Sequence, residues 1–297
     1  MSAVKIVEVG PRDGLQNESM FIPTELKVRF IENLKLAGLK NIEITSFVSP
    51  KAVEQMKDAS LVASSLDLSS FNATVLIPNL KGLNFSKDQS FNEVCIFTTT
   101  SEAFSQKNTK CTIAQTYKRI EDIFKNIEKG QKVRGYLSTV FGCPYEGEIS
   151  IDKVLYGVEK LFSMGCYEVA LGDTTGVGLP EQVKKILNKL KEHFDVSTIA
   201  MHVHDTYGMG LVNVHSSYEE GVRIFDSSAG GLGGCPYAKG ASGNLATEDL
   251  CHYLKGIGIE TSIDLVSLVK ASKEIFDFLG KQSMSKVNQY IVRTHGL

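Results

Sequence analysis

The sequence predicts an α/β fold, a (β/α)₈ TIM barrel with extra C-terminal helices. Short apolar, β-branched segments alternate with longer segments of helical period, and eight such units occupy roughly 250 residues, the usual size of this barrel. Because parallel strands need a crossover connection, which a helix supplies, this alternation favours a parallel sheet. No change in composition marks a domain boundary. We therefore expect one domain over 1–297, with the barrel at about 4–257 and a helical extension at about 258–297.

Eight segments have the length and composition of buried strands. They are Val4–Val9, Asn41–Thr45, Ala73–Ile77, Glu93–Thr98, Val133–Thr139, Tyr167–Leu171, Thr198–His204 and Val222–Ser227. An open doubly wound sheet is the structural alternative. That fold leads one to expect the pattern GxGxxG after the first strand, and the sequence GPRDGL at 10–15 does not supply it.

The segments between the strands have a helical period. The predicted helices include Thr24–Ala37, Ser49–Ser64, Ile113–Lys129, Ile151–Met164, Pro180–His193 and Met209–Glu220. Pro180 suits the first turn of a helix, where its missing N–H costs nothing. Two further helices, at about Ile263–Leu279 and Ser285–Val292, extend past the barrel, where they could cap it or form an oligomer contact.

Composition and charge are those of a globular protein with a sizeable core, with 42% hydrophobic residues, 22% charged residues and a net charge of −2. The 32 basic and 34 acidic residues are spread along the chain, so we expect no nucleic-acid partner. The apolar segments are too short to span a membrane, so we expect no membrane partner. The first residues enter a strand-like alternation at once, and the six cysteines contain no CxxC pair. These features predict reduced thiols and a cytoplasmic location.

The segment 230–244 contains six glycines and one proline around Cys235, and it ends at Asn244. Glycine is used where the backbone takes a positive φ or passes close to another group, so we interpret this segment as a shaped loop that positions a thiol and an amide. A flexible linker is the alternative, although linkers are usually rich in serine and charged residues. A phosphate-binding P-loop is excluded, because the pattern GxxxxGK[ST] is not met.

Four residues near the predicted strand ends could hold a metal ion. His202 and His204 are two apart on one predicted strand, so both side chains project to the same face, at the barrel mouth. Asp13 follows the first strand and Asn244 follows the eighth, and these strands are neighbours in a closed barrel. Two nitrogens with hard oxygen donors suit Mg²⁺ or Mn²⁺ better than a structural zinc. For any single residue the alternative is an ordinary hydrogen bond, but the set predicts a divalent-cation site.

Other polar residues at the same end of the predicted barrel could carry chemistry. Arg12 stands beside Asp13, with Glu43 on the adjacent strand. The carboxylate could hold the guanidinium as a donor for developing oxyanion charge, or the two could form a structural ion pair. Asp173 could orient a ligand or a water, or only cap the next turn. Cys235, on the glycine loop near a cation and an arginine, is a candidate acid.

Six segments resemble the 3-hydroxy-3-methylglutaryl-CoA lyase family, in the group of TIM-barrel metallolyases named for an Asp-Arg-Glu triad. They are VGPRDGLQNE (9–18), IEITSFVSPK (42–51), GCPYEG (142–147), LGDTTGVG (171–178), HVHDTYGMGLVN (202–213) and GLGGCPYAKGASGNLATEDL (231–250). The likeness runs over nearly the whole chain. The last segment is specific to the lyases, whereas the metal constellation is shared with related synthases and aldolases.

The resemblance implies a role for each of these residues. Those that it places on the divalent cation, Mg²⁺ or Mn²⁺, are Asp13, His202, His204 and Asn244. Those that it places around the reacting acyl-CoA substrate are Arg12, Glu43, Asp173 and Cys235, and His202 is in addition a candidate catalytic base. We also expect substrate contacts from Gln16 and Asn108, and the CoA moiety could pass the predicted loop Ser101–Asn108. The resemblance further suggests a homodimer.

The reaction that the resemblance implies is the retro-Claisen cleavage of 3-hydroxy-3-methylglutaryl-CoA to acetyl-CoA and acetoacetate, a step of leucine degradation and ketone-body formation. Asp13 or His202 would remove the proton of the tertiary hydroxyl, Arg12 would stabilise the enolate, and Cys235 would protonate it. One alternative is a lyase for a longer 3-substituted 3-hydroxyglutaryl-CoA, such as the isohexenyl analogue. Others are a different aldolase or acyl-CoA condensing enzyme of the superfamily, and a non-catalytic barrel that serves in binding or assembly.

Overall fold

The computed structural model describes residues 3–234 and 243–297. Within them, eight parallel strands follow one another around a closed barrel in chain order. The strands are β1 (Lys5–Glu8), β2 (Asn41–Ser46), β3 (Asn72–Leu76), β4 (Glu93–Thr99), β5 (Lys132–Ser138), β6 (Glu168–Asp173), β7 (Ile199–Val203) and β8 (Ile224–Ser227). The predicted (β/α)₈ TIM barrel is therefore confirmed.

Strands β1 and β8 close the barrel. Lys5 pairs with Ile224, and the register continues to Glu8 opposite Ser227. On its other edge β1 pairs with β2, where Glu8 lies opposite Ile42. Because all the strands run in the same direction, the residues that follow β1 and β8 emerge side by side at one mouth of the barrel.

Helices surround the barrel and continue past it. In the described residues they are α1 (Thr24–Leu36), α2 (Ala59–Ser64), α3 (Leu80–Ser86), α4 (Glu102–Thr109), α5 (Ile113–Phe124), α6 (Ile151–Met164), α7 (Pro180–Lys191), α8 (Gly210–Glu219), α9 (Thr247–Gly256), α10 (Leu265–Leu279) and α11 (Lys286–His295). The helix α10 packs against α1, and Ser283, between α10 and α11, donates a hydrogen bond of 2.8 Å to the carbonyl oxygen of Gly230. None of these described helices is long and apolar enough to cross a membrane.

The core has two layers that the strands separate. Outside the barrel, alternate strand residues pack against the buried faces of the helices, as at Val158 of α6 and Leu187 of α7. Inside it, the apolar side chains are those of Val7, Val9, Leu76, Cys95, Tyr136, Ala170, Ala200 and Ile224. The interior also holds charged groups, among them Arg134, 1% exposed, and Glu43, fully buried. Burying a charged group is costly unless it is paired, so the ion pairs of these interior residues determine how the site is arranged.

The predicted helix Ser49–Ser64 is wrong in its first half. The structure has a 3₁₀ turn at Glu54–Met56, and the regular helix α2 begins only after it. The side-chain amide of Gln55 forms hydrogen bonds with the backbone of residues 18–22. Its Oε1 accepts from the N–H of Ile22 (3.2 Å), and its Nε2 donates to the carbonyl oxygen of Glu18 (3.0 Å). These long-range contacts fix the irregular segment, and hydrophobic periodicity gives no sign of them.

The predicted loop Ser101–Asn108 is also wrong, because this segment is the helix α4. Ser101 is its N-cap, and the Oγ accepts from the N–H of Phe104 at 3.0 Å. Glu146, from the connection after β5, accepts from the N–H of Ala103 at 2.7 Å. Two donors of the first turn are thus satisfied, one of them by a residue 43 positions away in sequence. The helices α3 and α9 were likewise not predicted.

Candidate active site

Residues Gly10–Gly14 form a single π-helical turn at the end of β1. Three consecutive N–H groups of this turn approach the carbonyl oxygen of Val9, at 2.8–3.2 Å. A Cβ on the first or the last glycine of the turn would lie 3.2 or 2.8 Å from the Oγ of Ser228. The glycines therefore let the turn lie directly against the segment that follows β8, and the turn carries Arg12 and Asp13 to the barrel mouth.

Arg12 and Glu43 form a buried ion pair on one side of the mouth. Nη2 of Arg12 donates to Oε2 of Glu43 at 3.1 Å, and Nε lies 3.0 Å from Oε1. The hydroxyl of Tyr136 donates to the same Oε2 at 2.7 Å, and its ring centre lies 5.4 Å from the guanidinium carbon. Because the carboxylate is fully buried and held from two sides, the guanidinium of Arg12 is fixed as a donor.

Asp13 keeps its negative charge because of its neighbours. Burial by itself would raise the pKa of Asp13, but the guanidinium of Arg12, which contacts Oδ1, together with His202 and His204, holds that pKa well below its usual range. The site therefore presents one carboxylate oxygen, Oδ2, beside two imidazoles.

Asp13, His202 and His204 form a group that could hold a metal ion, because one ligand atom from each lies within 4.8 Å of the others. Oδ2 of Asp13 lies 3.9 Å from Nε2 of His202 and 3.6 Å from Nε2 of His204. Both ring nitrogens of His204 are buried and have no hydrogen-bond partner among residues 3–234 and 243–297. A buried polar atom of this kind calls for a further ligand, and a cation between the three residues would supply it.

Asn244, which lies between β8 and α9, contacts Asp13 of this group. Its Nδ2 donates to Oδ2 of Asp13 at 2.9 Å and to the carbonyl oxygen of Leu232 at 3.3 Å, and its backbone forms an isolated bridge with His204. A half turn of the terminal dihedral exchanges the amide nitrogen and oxygen, and the oxygen is the atom that binds hard cations. The structure thus brings together all four residues that the sequence predicted as metal ligands.

Asp226, which was not among the predicted site residues, orients His202. Nδ1 of His202 lies 3.2 Å from Oδ2 of Asp226. Arg134 donates to both oxygens of that carboxylate, at 3.0 and 2.7 Å. Burial would raise the pKa of Asp226, but Arg134 and His202 lower it to about 2. A carboxylate on Nδ1 leaves Nε2 free to face Asp13. The signal in the sequence was one charged residue in the apolar strand β8.

Asp173 caps a turn. Its two carboxylate oxygens accept from the N–H groups of Val177 and Gly178, at 3.1 and 2.9 Å, and burial raises its pKa. The described part of the cavity wall includes its neighbours Gly172 and Thr174 but not Asp173. Of the two roles considered for Asp173, these contacts favour the structural one.

Cys235 lies outside the described residues, so its role as an acid stays a prediction. The residue before it, Gly234, lines the cavity at the mouth and accepts a hydrogen bond of 3.1 Å from Nδ2 of Asn17.

A cavity of about 580 Å³ opens at the mouth of the barrel. The predicted site residues that line it are Arg12, Asp13, Gln16, Asn108, His202 and His204. Lys110 and Arg119, neither of them predicted, lie on the same wall. Asn108 and Lys110 are exposed and mark the open end, whereas the histidines are buried at the closed end. Basic residues are spread along the whole chain, so nothing in the sequence singled these two out.

The chain is similar to several known proteins. A family model described as HMGL-like matches residues 3–275. The mitochondrial hydroxymethylglutaryl-CoA lyase of Bos taurus is 49% identical over 288 residues, which cover 96% of this chain and 89% of the bovine protein. The structure of the HMG-CoA lyase of Bacillus subtilis has a TM-score of 0.95 at 42% identity, covering 98% of each chain. An HMG-CoA lyase of Acinetobacter baumannii in complex with coenzyme A and 3-methylmalate gives 0.92 at 38% identity, over 97% of this chain and 94% of that one.

Proposed function

The chain belongs to the HMGL-like family, and from this premise we propose that it is a hydroxymethylglutaryl-CoA lyase. It cleaves 3-hydroxy-3-methylglutaryl-CoA to acetyl-CoA and acetoacetate, and it uses a divalent cation, Mg²⁺ or Mn²⁺. One observation carries the proposal, namely that the group of Asp13, His202 and His204 lies beside an arginine fixed by Glu43 at the closed end of a cavity.

The cavity suits an acyl-CoA thioester. The carboxylate and hydroxyl of the acyl group would occupy the polar closed end, and Leu76 and Phe97 supply an apolar wall beside it. Lys110, which is exposed at the open end, and Arg119, which also lines the cavity, supply positive charge that favours the phosphates of CoA. The relative whose structure contains coenzyme A supports this class of substrate.

The donor set of one carboxylate, two imidazoles and one amide fits Mg²⁺ or Mn²⁺, which when bound would polarise the tertiary hydroxyl and lower its pKa. Asp13 or His202 removes the hydroxyl proton, and the bond between C2 and C3 of the acyl chain breaks. The carbon that carried the hydroxyl becomes the ketone of acetoacetate, and the electron pair of the broken bond passes to the thioester as an enolate.

Arg12 stabilises that enolate. Its guanidinium lines the cavity and is held by Glu43, so no reorganisation is needed when negative charge develops on the thioester oxygen. Cys235 then delivers a proton to C2, which completes acetyl-CoA. The proton lost from the hydroxyl passes from the base to solvent, and the thiolate left at Cys235 takes up a proton from solvent, so both groups return to their starting state.

The direct test is to incubate the protein with 3-hydroxy-3-methylglutaryl-CoA and Mn²⁺ and to follow acetoacetate. We expect release that EDTA abolishes and that excess Mg²⁺ or Mn²⁺ restores. Absence of metal-dependent acetoacetate would overturn the proposal, and a higher kcat/KM for the isohexenyl analogue would move it to the longer substrate. His204→Ala should weaken Mn²⁺ binding, whereas His215→Ala, a matched change at a half-exposed site on α8, should leave binding and turnover unchanged.

The assembly and the location of the protein stay predictions. The resemblance suggests a homodimer, and the sequence suggests the cytoplasm. The relatives carry both the word mitochondrial and the word cytoplasmic in their names.

A further inference from the structure

Glu8, the last residue of β1, is a fully buried carboxylate that the proposed reaction does not use. Its oxygens accept three hydrogen bonds from three separate segments. Oε1 accepts from the N–H of Gly10 at 2.8 Å and from the N–H of Ala229 at 2.9 Å, and Oε2 accepts from Oγ1 of Thr247 at 2.7 Å. One side chain thus connects the ends of β1 and β8 with the start of α9.

The first of these segments is the turn that carries Arg12 and Asp13. Gly10 is its first residue, and a Cβ there would lie 2.5 Å from Oε1 of Glu8. The contact is therefore so close that glycine is required opposite the carboxylate. Any shift of Glu8 would be transmitted to the backbone that sets the position of both site residues.

The other two segments lead to Asn244 from either side. Ala229 opens a 3₁₀ turn that runs into Leu232, whose carbonyl oxygen accepts from Nδ2 of Asn244 at 3.3 Å. Thr247 opens α9, three positions after Asn244. Glu8 therefore holds both flanks of the residue that faces Asp13 across the metal group.

Burying the carboxylate of Glu8 without a cation beside it costs free energy. Among the described residues Glu8 is in no ion pair, and burial raises its pKa to about 7 although all three donors stabilise the ionised form. A buried acid without a cation contributes little to stability by itself. Its three well-made hydrogen bonds instead point to a role in placing the segments that it joins.

We propose that Glu8 is a positioning residue for the metal group, which holds the Arg12–Asp13 turn in register with the segment that carries Asn244. The inference rests on the cation site of the proposed function, but it does not depend on which acyl-CoA is cleaved. Partners that orient metal ligands typically contribute about 10–100-fold to affinity or activity.

The test measures Mn²⁺ binding by electron paramagnetic resonance, with kcat at saturating Mn²⁺ and Tm determined on the same samples. Glu8→Ala removes all three acceptors, so we expect Mn²⁺ affinity to fall roughly 10–100-fold and kcat to fall with it. Glu8→Gln keeps an oxygen for the two N–H groups and can donate to the hydroxyl of Thr247. It should restore Mn²⁺ affinity to within a few-fold of the wild type.

Leu187→Ala is the matched control for lost stability, because Leu187 is fully buried in α7 on the outer layer of the core. It should lower Tm and leave Mn²⁺ affinity unchanged. If Glu8→Ala does not fold, Thr247→Val removes the hydroxyl donor alone and should still weaken Mn²⁺ binding several-fold.

Unchanged Mn²⁺ affinity in a folded Glu8→Ala protein would overturn the inference, as would an equal loss in Glu8→Ala and Glu8→Gln. A wild-type protein that binds no Mn²⁺ would overturn the inference together with the cation site. Loss of Mn²⁺ affinity in Glu8→Ala, with no acetoacetate from the wild type, would instead support the positioning role and refute the proposed substrate.

Discussion

Two arginines inside the barrel, Arg12 and Arg134, have similar surroundings, but only Arg12 lines the described wall of the cavity. Both are buried, with 6% of Arg12 and 1% of Arg134 exposed, and both lie near the ring of Tyr136, at 5.4 and 4.8 Å from its centre. Both are paired with carboxylates of the interior. Arg12 lines the cavity, whereas Arg134 is not part of its described wall.

All three guanidinium nitrogens of Arg134 donate to carboxylates of the protein, because Nε donates to Glu168 and both terminal nitrogens donate to Asp226. Its charge is used within the protein, where it keeps Asp226 ionised beside His202. Arg12 is also paired with two carboxylates, those of Glu43 and Asp13, but both Arg12 and Asp13 line the cavity. A buried arginine is therefore a candidate for catalysis when it lines a cavity, and a structural group when neither it nor its carboxylate partners line one.

The largest effect should follow the removal of Arg134. Arg134→Met leaves Asp226 buried without its arginine and leaves Glu168 with Lys5 as its one remaining cation among the described residues, so we expect a loss of about 3–5 kcal/mol in the free energy of unfolding. Chemical denaturation monitored by circular dichroism would measure it. Arg29→Met is the control, because the pair of Arg29 with Glu274 is exposed and should contribute at most about 1 kcal/mol. Equal losses in the two variants would contradict the structural role of Arg134.

Arg12→Met should act on turnover. Loss of one donor to a developing oxyanion costs about 10²–10³ in rate, or about 2.7–4 kcal/mol, so kcat should fall by that factor while Mn²⁺ still binds. Steady-state kinetics at saturating Mn²⁺ would measure the change, with Arg29→Met again as the unaffected control. Normal turnover in Arg12→Met would remove Arg12 from the mechanism.

Glu8 differs from the carboxylates that pair with these two arginines, because it is buried and neither arginine contacts it. Its pKa is raised from 4.5 to about 7, so the folded protein binds a proton that the unfolded chain releases between these pH values. The contribution of Glu8 to the free energy of unfolding is therefore greatest below pH 4.5, where the group is protonated in both states. It falls as the pH rises through about 7, by an amount on the order of 3 kcal/mol. Glu8→Gln cannot titrate, so its Tm relative to wild type should rise between pH 5 and about 8. A constant difference in Tm would show that Glu8 keeps an ordinary pKa.

Much of the fold and of the candidate site follows from local patterns. Alternation of strand and helix predicts the barrel, and the spacing of His202 and His204 puts both on one face of β7. Asp13 and Asn244 could be added because the first and last strands of a closed barrel are neighbours. The first half of the predicted helix at 49–64 failed, since Gln55 bonds to backbone more than thirty positions away.

The sequence by itself determined the strand ends at which polar residues collect, because strand period and chain order are local properties. Only the tertiary structure decided which polar residue meets which. Arg134 pairs with Asp226 across 92 positions, and Asn244 meets Asp13 across 231. Separations of this size are brought to hydrogen-bond distance by barrel closure, and the same closure makes Arg134 structural while it leaves Arg12 facing the cavity.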